Sequence, residues 1–296
     1  MANGTSVLVT GAGGPSGKAA IRALKDKGFR VIAADMAPAE HGADGFAKVL
    51  PATHPMYAAQ LDTLLSTWNI NWLFPTVQEE LPIVAEKAHA YRSRGIAVYM
   101  ADPRAVAICN DKWLTAKSLA AAGVAVPRSV IGESGPAAIQ PLGFPCVSKP
   151  RVGRGGRHVT VHDRADTALV MRLAGNNLIW QQFMPGTEYD VLLMIRRNRP
   201  ASKTIAVVFE KTSLREGRTG NALALERVSA PDVQDLALSA ARALDLAGPV
   251  DMDIRRDVNG VAHVLEINAR IGAHTHKAPE IFDALVGLYE TGYLGG

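Results

Sequence analysis

A chain of 296 residues with a net charge of +4 and 48% apolar side chains is long enough for two or three subdomains with real cores. Its mild, dispersed positive charge argues against a nucleic-acid binder, which usually wants a basic stripe. No apolar run could span a bilayer, and the start MANGTSVLV has neither a basic n-region nor an h-region, so no signal peptide and no membrane partner are expected. Cys109 and Cys146 lack metal spacing and sit in apolar surroundings. They read as small buried hydrophobes, which fits a reducing cytosol and a cytoplasmic protein.

The first hundred residues alternate strands and helices. SVLVT, VIAAD and NWLFPT read as buried parallel strands, with helices over 17–27, 56–68 and 79–94. GIAVYM predicts a further strand, and a short helix follows over 103–108. This is the pattern of a small doubly wound sheet. A helix over 112–122, closed by Gly123, opens the second part. VAVPRSVI, FPCVSKP, HVTVH and LIWQQF then predict strands, with a helix over 163–173 among them. Longer β segments follow in YDVLLMIRR, KTIAVVFEK and NALALERV, then a helix over 231–244. VDMDIRRD and AHVLEINAR join through Asp257-Val258-Asn259-Gly260, whose Asn-Gly is a hairpin signal. A last helix covers 279–289.

The glycine cluster after the first strand reads two ways. Thr10-Gly11-x-x-Gly14-x-x-Gly17 fits the phosphate loop of an extended short-chain reductase, with Asp35 where a ribose-binding acid would sit. Such reductases pair a Tyr with a Lys four positions later, so that the cation lowers the phenol's pKa. None of the six tyrosines has that lysine, and the strand-rich second half fits a single Rossmann unit poorly. A P-loop fails too, because Ala12 replaces the first Gly and Ala19 the Ser/Thr that would hold magnesium. The other reading is a tight strand-to-helix turn whose free N–H groups could receive any anion, a substrate carboxylate included.

The residues that carry chemistry lie further on. Asp253 is on one strand of the predicted hairpin; Glu266 and Asn268, two apart, share a face of the other. Two carboxylates and an amide oxygen make a hard site suited to Mg²⁺ shared with phosphates. Arg270 continues that face and could grip a phosphoryl or carboxylate oxygen. Lys149 ends FPCVSK and precedes PRVGRGGRH, where Gly153, Gly155 and Gly156 allow a flap and Arg151, Arg154 and Arg157 make it cationic. Such a flap can close over phosphates and exclude water. Lys112 opens a helix and could reach the same phosphates. Arg218, in the glycine-punctuated SLREGRTGN, reads as a loop residue near the site or as a solvated charge. His274 and His276 could serve as metal ligands or as a general base, and otherwise read as part of a loop lining an acceptor pocket, with metal binding the lesser alternative.

These motifs, in this order, resemble the ATP-grasp superfamily over nearly the whole chain. The first part, with its glycine turn, NWLFPTVQEE and the run into NDKW, looks like the pre-ATP-grasp domain of the carbamoyl-phosphate synthetase large subunit. The remainder shows the ATP-grasp motifs in order, and the chain as a whole looks most like the small ligases of biosynthetic operons, including the type found beside tellurium-resistance genes. The resemblance implies an α/β and α+β fold. It comprises a Rossmann-like pre-ATP-grasp domain over 1–108, an ATP-grasp lid subdomain with the flap over 109–182, and a C-terminal subdomain with the metal site over 183–296. It implies adenine against the hinge Gln181, Gln182, Phe183 and Met184, through backbone groups of Gln182 and Met184, with Glu188 on the ribose. The hinge carries Gln182 where the family often has Glu, and the usual Asn-Pro-Arg is Asn268-Ala269-Arg270.

The implied activity is an ATP-dependent, ADP-forming carboxylate–amine ligase working through an acyl phosphate, on an amino acid or small peptide. ATP and Mg²⁺ are the expected cofactors, with Asp253, Glu266 and Asn268 on the metal. Lys112, Lys149 and the flap would hold phosphates, and Arg270 and Lys149 would act in catalysis. The carboxylate would meet Arg270 and Arg218, and the amine would sit near Glu80 and Gly14. The resemblance allows a homodimer through the first domain. The readings kept beside it are an NAD(P)-dependent reductase using Gly11, Gly14, Gly17 and Asp35, a non-catalytic ATP-binding protein, and a kinase that stops at the acyl phosphate.

Overall fold

The computed structural model describes residues 4–39, 42–153, 155–164, 177–196 and 204–295. The first sheet is parallel, in the order β3-β2-β1-β4. It comprises β1 (Ser6–Thr10), β2 (Arg30–Asp35), β3 (Gly45–Lys48) and β4 (Trp72–Phe74), with α1 (Pro15–Asp26), α2 (Tyr57–Thr67) and α3 (Leu81–Ser93) on its faces. The α1 helix springs directly from the glycine turn. A Cβ at Gly17 would stand 2.2 Å from the Gly11 carbonyl oxygen, so only glycine lets the helix begin so close to the strand end. β3 was not expected, because the GFAK segment carries no clear alternation. The run 95–100, expected as a strand, makes a single parallel bridge from Ala97 to Trp72. The next N–H, on Val98, points away from β4 and donates to the Leu294 carbonyl, so the C-terminal segment lies along the outer edge of this run.

After α4 (Pro103–Asn110) and α5 (Lys112–Ala121) comes an antiparallel sheet of order β5-β8-β6-β7. Its strands are β5 (Ser129–Ile131), β6 (Cys146–Pro150), β7 (Thr160–His162) and β8 (Leu178–Gln182), and the short α6 (Pro136–Ile139) lies beside them. Asp111 caps α5 by accepting from the Trp113 and Leu114 N–H groups. Most of the helix expected over 163–173 lies outside the described residues, as does Arg154 of the flap.

The third sheet is antiparallel, in the order β11-β10-β9-β12-β13. Its strands are β9 (Glu188–Ile195), β10 (Ile205–Leu214), β11 (Ala222–Arg227), β12 (Gly248–Arg256) and β13 (Ala262–Asn268); α7 (Pro231–Ala243) and α8 (Pro279–Glu290) cover opposite faces. Period-2 alternation sorts the side chains. Tyr189, Val191 and Leu193 of β9 and Val250, Met252 and Ile254 of β12 pack toward α7. Leu192 and Met194 pack toward α8. The same face of these strands continues, beyond the reach of α8, as Glu188, Asp190, Asp251, Asp253 and Arg255.

Each of the two large apolar clusters contains residues of both the first and the third sheet. Trp72 of β4 stacks on Tyr289 of α8 at 5.3 Å and meets Phe29 and Tyr99 edge-on. This shared core fixes the glycine turn opposite the charged face of the third sheet. Among the described residues no helix is long and apolar enough to cross a membrane.

Candidate active site

A cleft of about 580 Å³ lies between three walls: the glycine turn, β6 with the 181–184 hinge, and the charged face of the third sheet. The hairpin supplies its floor. Asp253 pairs directly with Glu266, and Asp251 with Asn268. The register then steps from Asp253↔Glu266 to Ile254↔Val264, leaving Leu265 as a bulge. That bulge turns the Leu265 carbonyl toward Lys149, whose Nζ donates to it at 3.4 Å. Burial draws Lys149 down to about 8, with Glu266 pulling the other way. Burial also raises the Asp253 carboxyl to about 6, despite the Lys211 ammonium beside it.

Lys211 on β10 did not stand out in the sequence. Its Nζ donates to Glu188 Oε1 at 2.8 Å and to Asp253 Oδ1 at 2.5 Å. Burial alone would lower its pKa, but Asp253 and Glu188 outweigh that and hold it well above the usual lysine range. KTIAVVFEK gave no motif, but Lys211 follows Val207 and Phe209 at period 2 on an inward face, where an unpaired cation would be costly. The signal was there in the alternation.

The hinge end of the cleft is lined by residues 181–184. The Gln182 N–H is engaged with the Arg128 carbonyl at 2.9 Å, so any base contact through Gln182 falls to its carbonyl. Glu188 is engaged on both oxygens, by Lys211 and by Arg255 Nη1 at 3.2 Å. The Arg255 guanidinium also lies 4.9 Å over the Phe183 ring. Gly155, Gly156 and Arg157 of the flap line the cleft. Lys112 stands behind it: its Nζ donates to the Gly153 carbonyl at 2.8 Å and lies 3.4 Å from Glu266 Oε2. Arg151, at the flap's base, forks onto Asp111, the α5 cap.

At the opposite end stand Arg270, His274 and the glycine turn with Gly14. Arg270 Nη2 donates to Asn268 Oδ1 at 3.1 Å and Nη1 to the Ile271 carbonyl at 2.7 Å, while its buried Nε has no hydrogen-bond partner among the described residues. The chain then folds back over β12. A Cβ at Gly272 would lie 2.1 Å from Asp251 Oδ2, so the loop can approach this closely only as glycine. That approach brings His274 Nδ1 to 2.6 Å from Asp190 Oδ2. Burial opposes ionisation of Asp190, but His274 and Lys211 outweigh it and keep the carboxyl below its ordinary value.

Two expectations are corrected. Glu80 does not meet a substrate. It is fully buried, and its carboxylate accepts from Thr10 Oγ1, Tyr57 OH and the N–H groups of Thr76 (3.0 Å) and Val77 (2.9 Å). It ties the end of β1 to the loop after β4. Arg218 points away from the acceptor end. It forks onto Asp163 at 2.7 and 2.8 Å and lies 5.6 Å over Phe183, and Arg215 lines the cleft instead. Asp35, the ribose acid of the reductase reading, accepts from the Gly13 and Met36 N–H groups, at 2.8 and 2.7 Å.

Among the described residues no three His, Cys, Asp or Glu side chains stand close enough to hold an ion alone. Mg²⁺ commonly takes one or two carboxylates together with substrate phosphates. The cross-strand pair Asp253–Glu266, with Asn268 beside it, therefore suits an ion that arrives with a nucleotide.

The profile of the ATP-grasp domain matches residues 109–274, and that of the PylC-like N-terminal domain matches residues 7–99. No curated protein matches the chain. Solved structures do. The L-amino acid ligase from Bacillus licheniformis superposes with a TM-score of 0.68 at 16% identity, over 92% of this chain and 68% of that one. N5-carboxyaminoimidazole ribonucleotide synthetase from Thermotoga maritima gives 0.68 at 19%, over 93% and 71%. The biotin carboxylase domain of Hydrogenobacter thermophilus 2-oxoglutarate carboxylase, in complex with MgADP and bicarbonate, gives 0.70 at 18%, over 92% and 65%. The chain thus spans about two thirds of these proteins, and at such identities the likeness is one of fold.

Proposed function

The chain belongs to the ATP-grasp family, and from that premise we propose that it is an ATP-dependent, ADP-forming ligase that joins a carboxylate to an amine through an acyl phosphate. One observation carries the reading: a single cleft holds Lys149, the Asp253–Glu266 pair and Arg270 between a hinge and a glycine turn. A protein that only senses nucleotide has no use for that set.

The adenine end would rest on residues 181–184 and the ribose on Glu188. Lys149 and the flap glycines Gly155 and Gly156 would receive phosphates, with Lys112 positioning the flap through Gly153. Asp253, Glu266 and Asn268 would hold Mg²⁺, which when bound offsets phosphate charge. The acid's carboxylate oxygen attacks the γ-phosphorus in line, and ADP leaves. Lys149 and Arg270 stabilise the spreading negative charge. Arg270 suits this because Asn268 and the Ile271 carbonyl fix its plane while Nε stays unpaired. The flap keeps water from the acyl phosphate, and an amine displaces phosphate to give the amide. The acceptor end, with Arg270 and the α1 N-terminus for a carboxylate and Asp251 for an ammonium, favours amino acids or short peptides as substrates.

Thermal shifts with a non-hydrolysable Mg-ATP analogue and with NADP⁺ test this side by side. A ligand that binds only the folded state adds RT ln(1 + [L]/Kd), about 2.7 kcal/mol at a hundredfold excess over Kd. A shift with the analogue alone is expected. A shift with NADP⁺ alone would refute the reading.

A further inference from the structure

We propose that His274 is the general base that takes the proton from the incoming amine, and that Asp190 is the positioning residue that holds it in the competent tautomer. This rests on the ligase reading above. The chemistry sets the need. An acyl phosphate and an ammonium give an amide with loss of two protons from nitrogen. The departing phosphate carries one away. The other must leave first, because a protonated amine has no lone pair with which to attack. Then the N–C bond forms, the C–O bond to phosphorus breaks, and the proton on the imidazolium passes to solvent at the cleft mouth.

The geometry meets that need. His274 lies on the cleft wall at the end away from the hinge. Its Nδ1 is 2.6 Å from Asp190 Oδ2, and Asp190 is 2% exposed. A neutral imidazole in this contact carries its proton on Nδ1 and donates it to the carboxylate, which leaves the Nε2 lone pair free to accept. Asp190 also stabilises the imidazolium once formed. The contact joins residues 84 apart in sequence and depends on the close approach of Gly272 to Asp251. The charged neighbours are Lys211 and Asp251 beside Asp190 and Asp253 opposite it on β12, Arg270 near Asp251 at 3.7 Å, and the exposed His276 and Lys277 in the same turn. The α1 helix, which packs on that turn, brings only the exposed Lys18 in its first turns. None of these offers a second neutral base with its tautomer fixed by a buried carboxylate.

The test compares wild type, His274→Gln and Asp190→Asn with Mg-ATP and a panel of the twenty L-amino acids as carboxylates. The nucleophile is either hydroxylamine, largely neutral at pH 7, or the amino acids' own ammonium groups. All three proteins should form hydroxamate and ADP at similar rates. With ammonium nucleophiles at pH 7, H274Q should lose about a hundredfold, in line with general-base contributions, and should recover as the pH approaches that at which the free amine predominates. D190N should show a smaller loss and a displaced pH profile. Equal amide formation by wild type and H274Q at pH 7 would overturn the proposal. Absence of hydroxamate from wild type with every acid would overturn the ligase reading, and the proposal with it. Ring ¹⁵N spectra of the wild-type protein, with the His274 signals assigned by their loss in H274Q, give a readout independent of turnover. An Nδ1–H tautomer is expected, and an Nε2–H tautomer would overturn the assignment.

Discussion

Lys211→Met removes the cation buried between Glu188 and Asp253 and keeps most of the aliphatic stem. In the wild type the ammonium lies 2.8 Å from Glu188 Oε1 and 2.5 Å from Asp253 Oδ1, and its side chain is 6% exposed. Breaking a buried ion pair from one side commonly costs about 3–5 kcal/mol, because the remaining charge loses its partner. Arg255 still holds Glu188, so the low end applies and about 3 kcal/mol is expected at pH 8. Asp253 gives the cost a pH signature. Its folded pKa, already raised to about 6, exceeds that of an unfolded aspartate, roughly 3.9. Its relative stabilisation is therefore full below about 3.9 and lost as pH rises through 6. Without Lys211 the folded value climbs further, so the extra loss appears at pH 8 and shrinks by pH 5, where the carboxyl is protonated in both proteins. Urea unfolding of both proteins at pH 8 and pH 5, with m-values compared, measures this. A difference under 1 kcal/mol at pH 8, or one that grows toward pH 5, would refute the reasoning.

Three further outcomes are expected. Glu266→Ala should lower ADP release by roughly a hundredfold or more, the usual cost of deleting one partner of transition-state charge, while circular dichroism stays native; near-normal turnover would sink the Asp253–Glu266 metal assignment. Glu80→Ala should cost about 3 kcal/mol or more in urea unfolding, since it removes the acceptor of the buried Tyr57 hydroxyl and of the Val77 N–H and leaves the Thr76 N–H only Thr10 Oγ1. Glu80→Gln, which keeps an acceptor for them, should cost clearly less. Because Lys149 titrates near 8 when no ligand is bound, affinity for a Mg-ATP analogue, measured by calorimetry, should fall between pH 7.5 and pH 9.5 as the ammonium is lost. In Lys149→Met that fall should disappear.

The readable part of this protein was the local part. The glycine turn, the hinge run, the flap glycines and the Asn-Gly hairpin each fit within a single turn or a pair of neighbouring strands, where period-2 alternation and turn chemistry decide which way a side chain faces. That is why Asp253 and Glu266 could be put on adjoining strands, and Lys149 at a strand end, from letters alone; the Leu265 bulge that sets the two carboxylates opposite each other could not be read there. The order of these segments also gave the family. A polar residue in an apolar run has no local address, however. Nothing near Glu80 says that four donors from three segments converge on it, so it read as a substrate contact when it is a tie inside the first sheet. Alternation marked Lys211 as a cation on an inward face and nothing marked Asp190, but what either one does lies in partners on other strands. The 84-residue contact between Asp190 and His274 exists only once β9, β12 and β13 have paired and the loop after β13 folds back over Asp251 at Gly272. The sequence by itself set the strands, the turns and the family; packing decided which buried charges face each other, because the cost of an unpaired charge is settled only where chain segments meet.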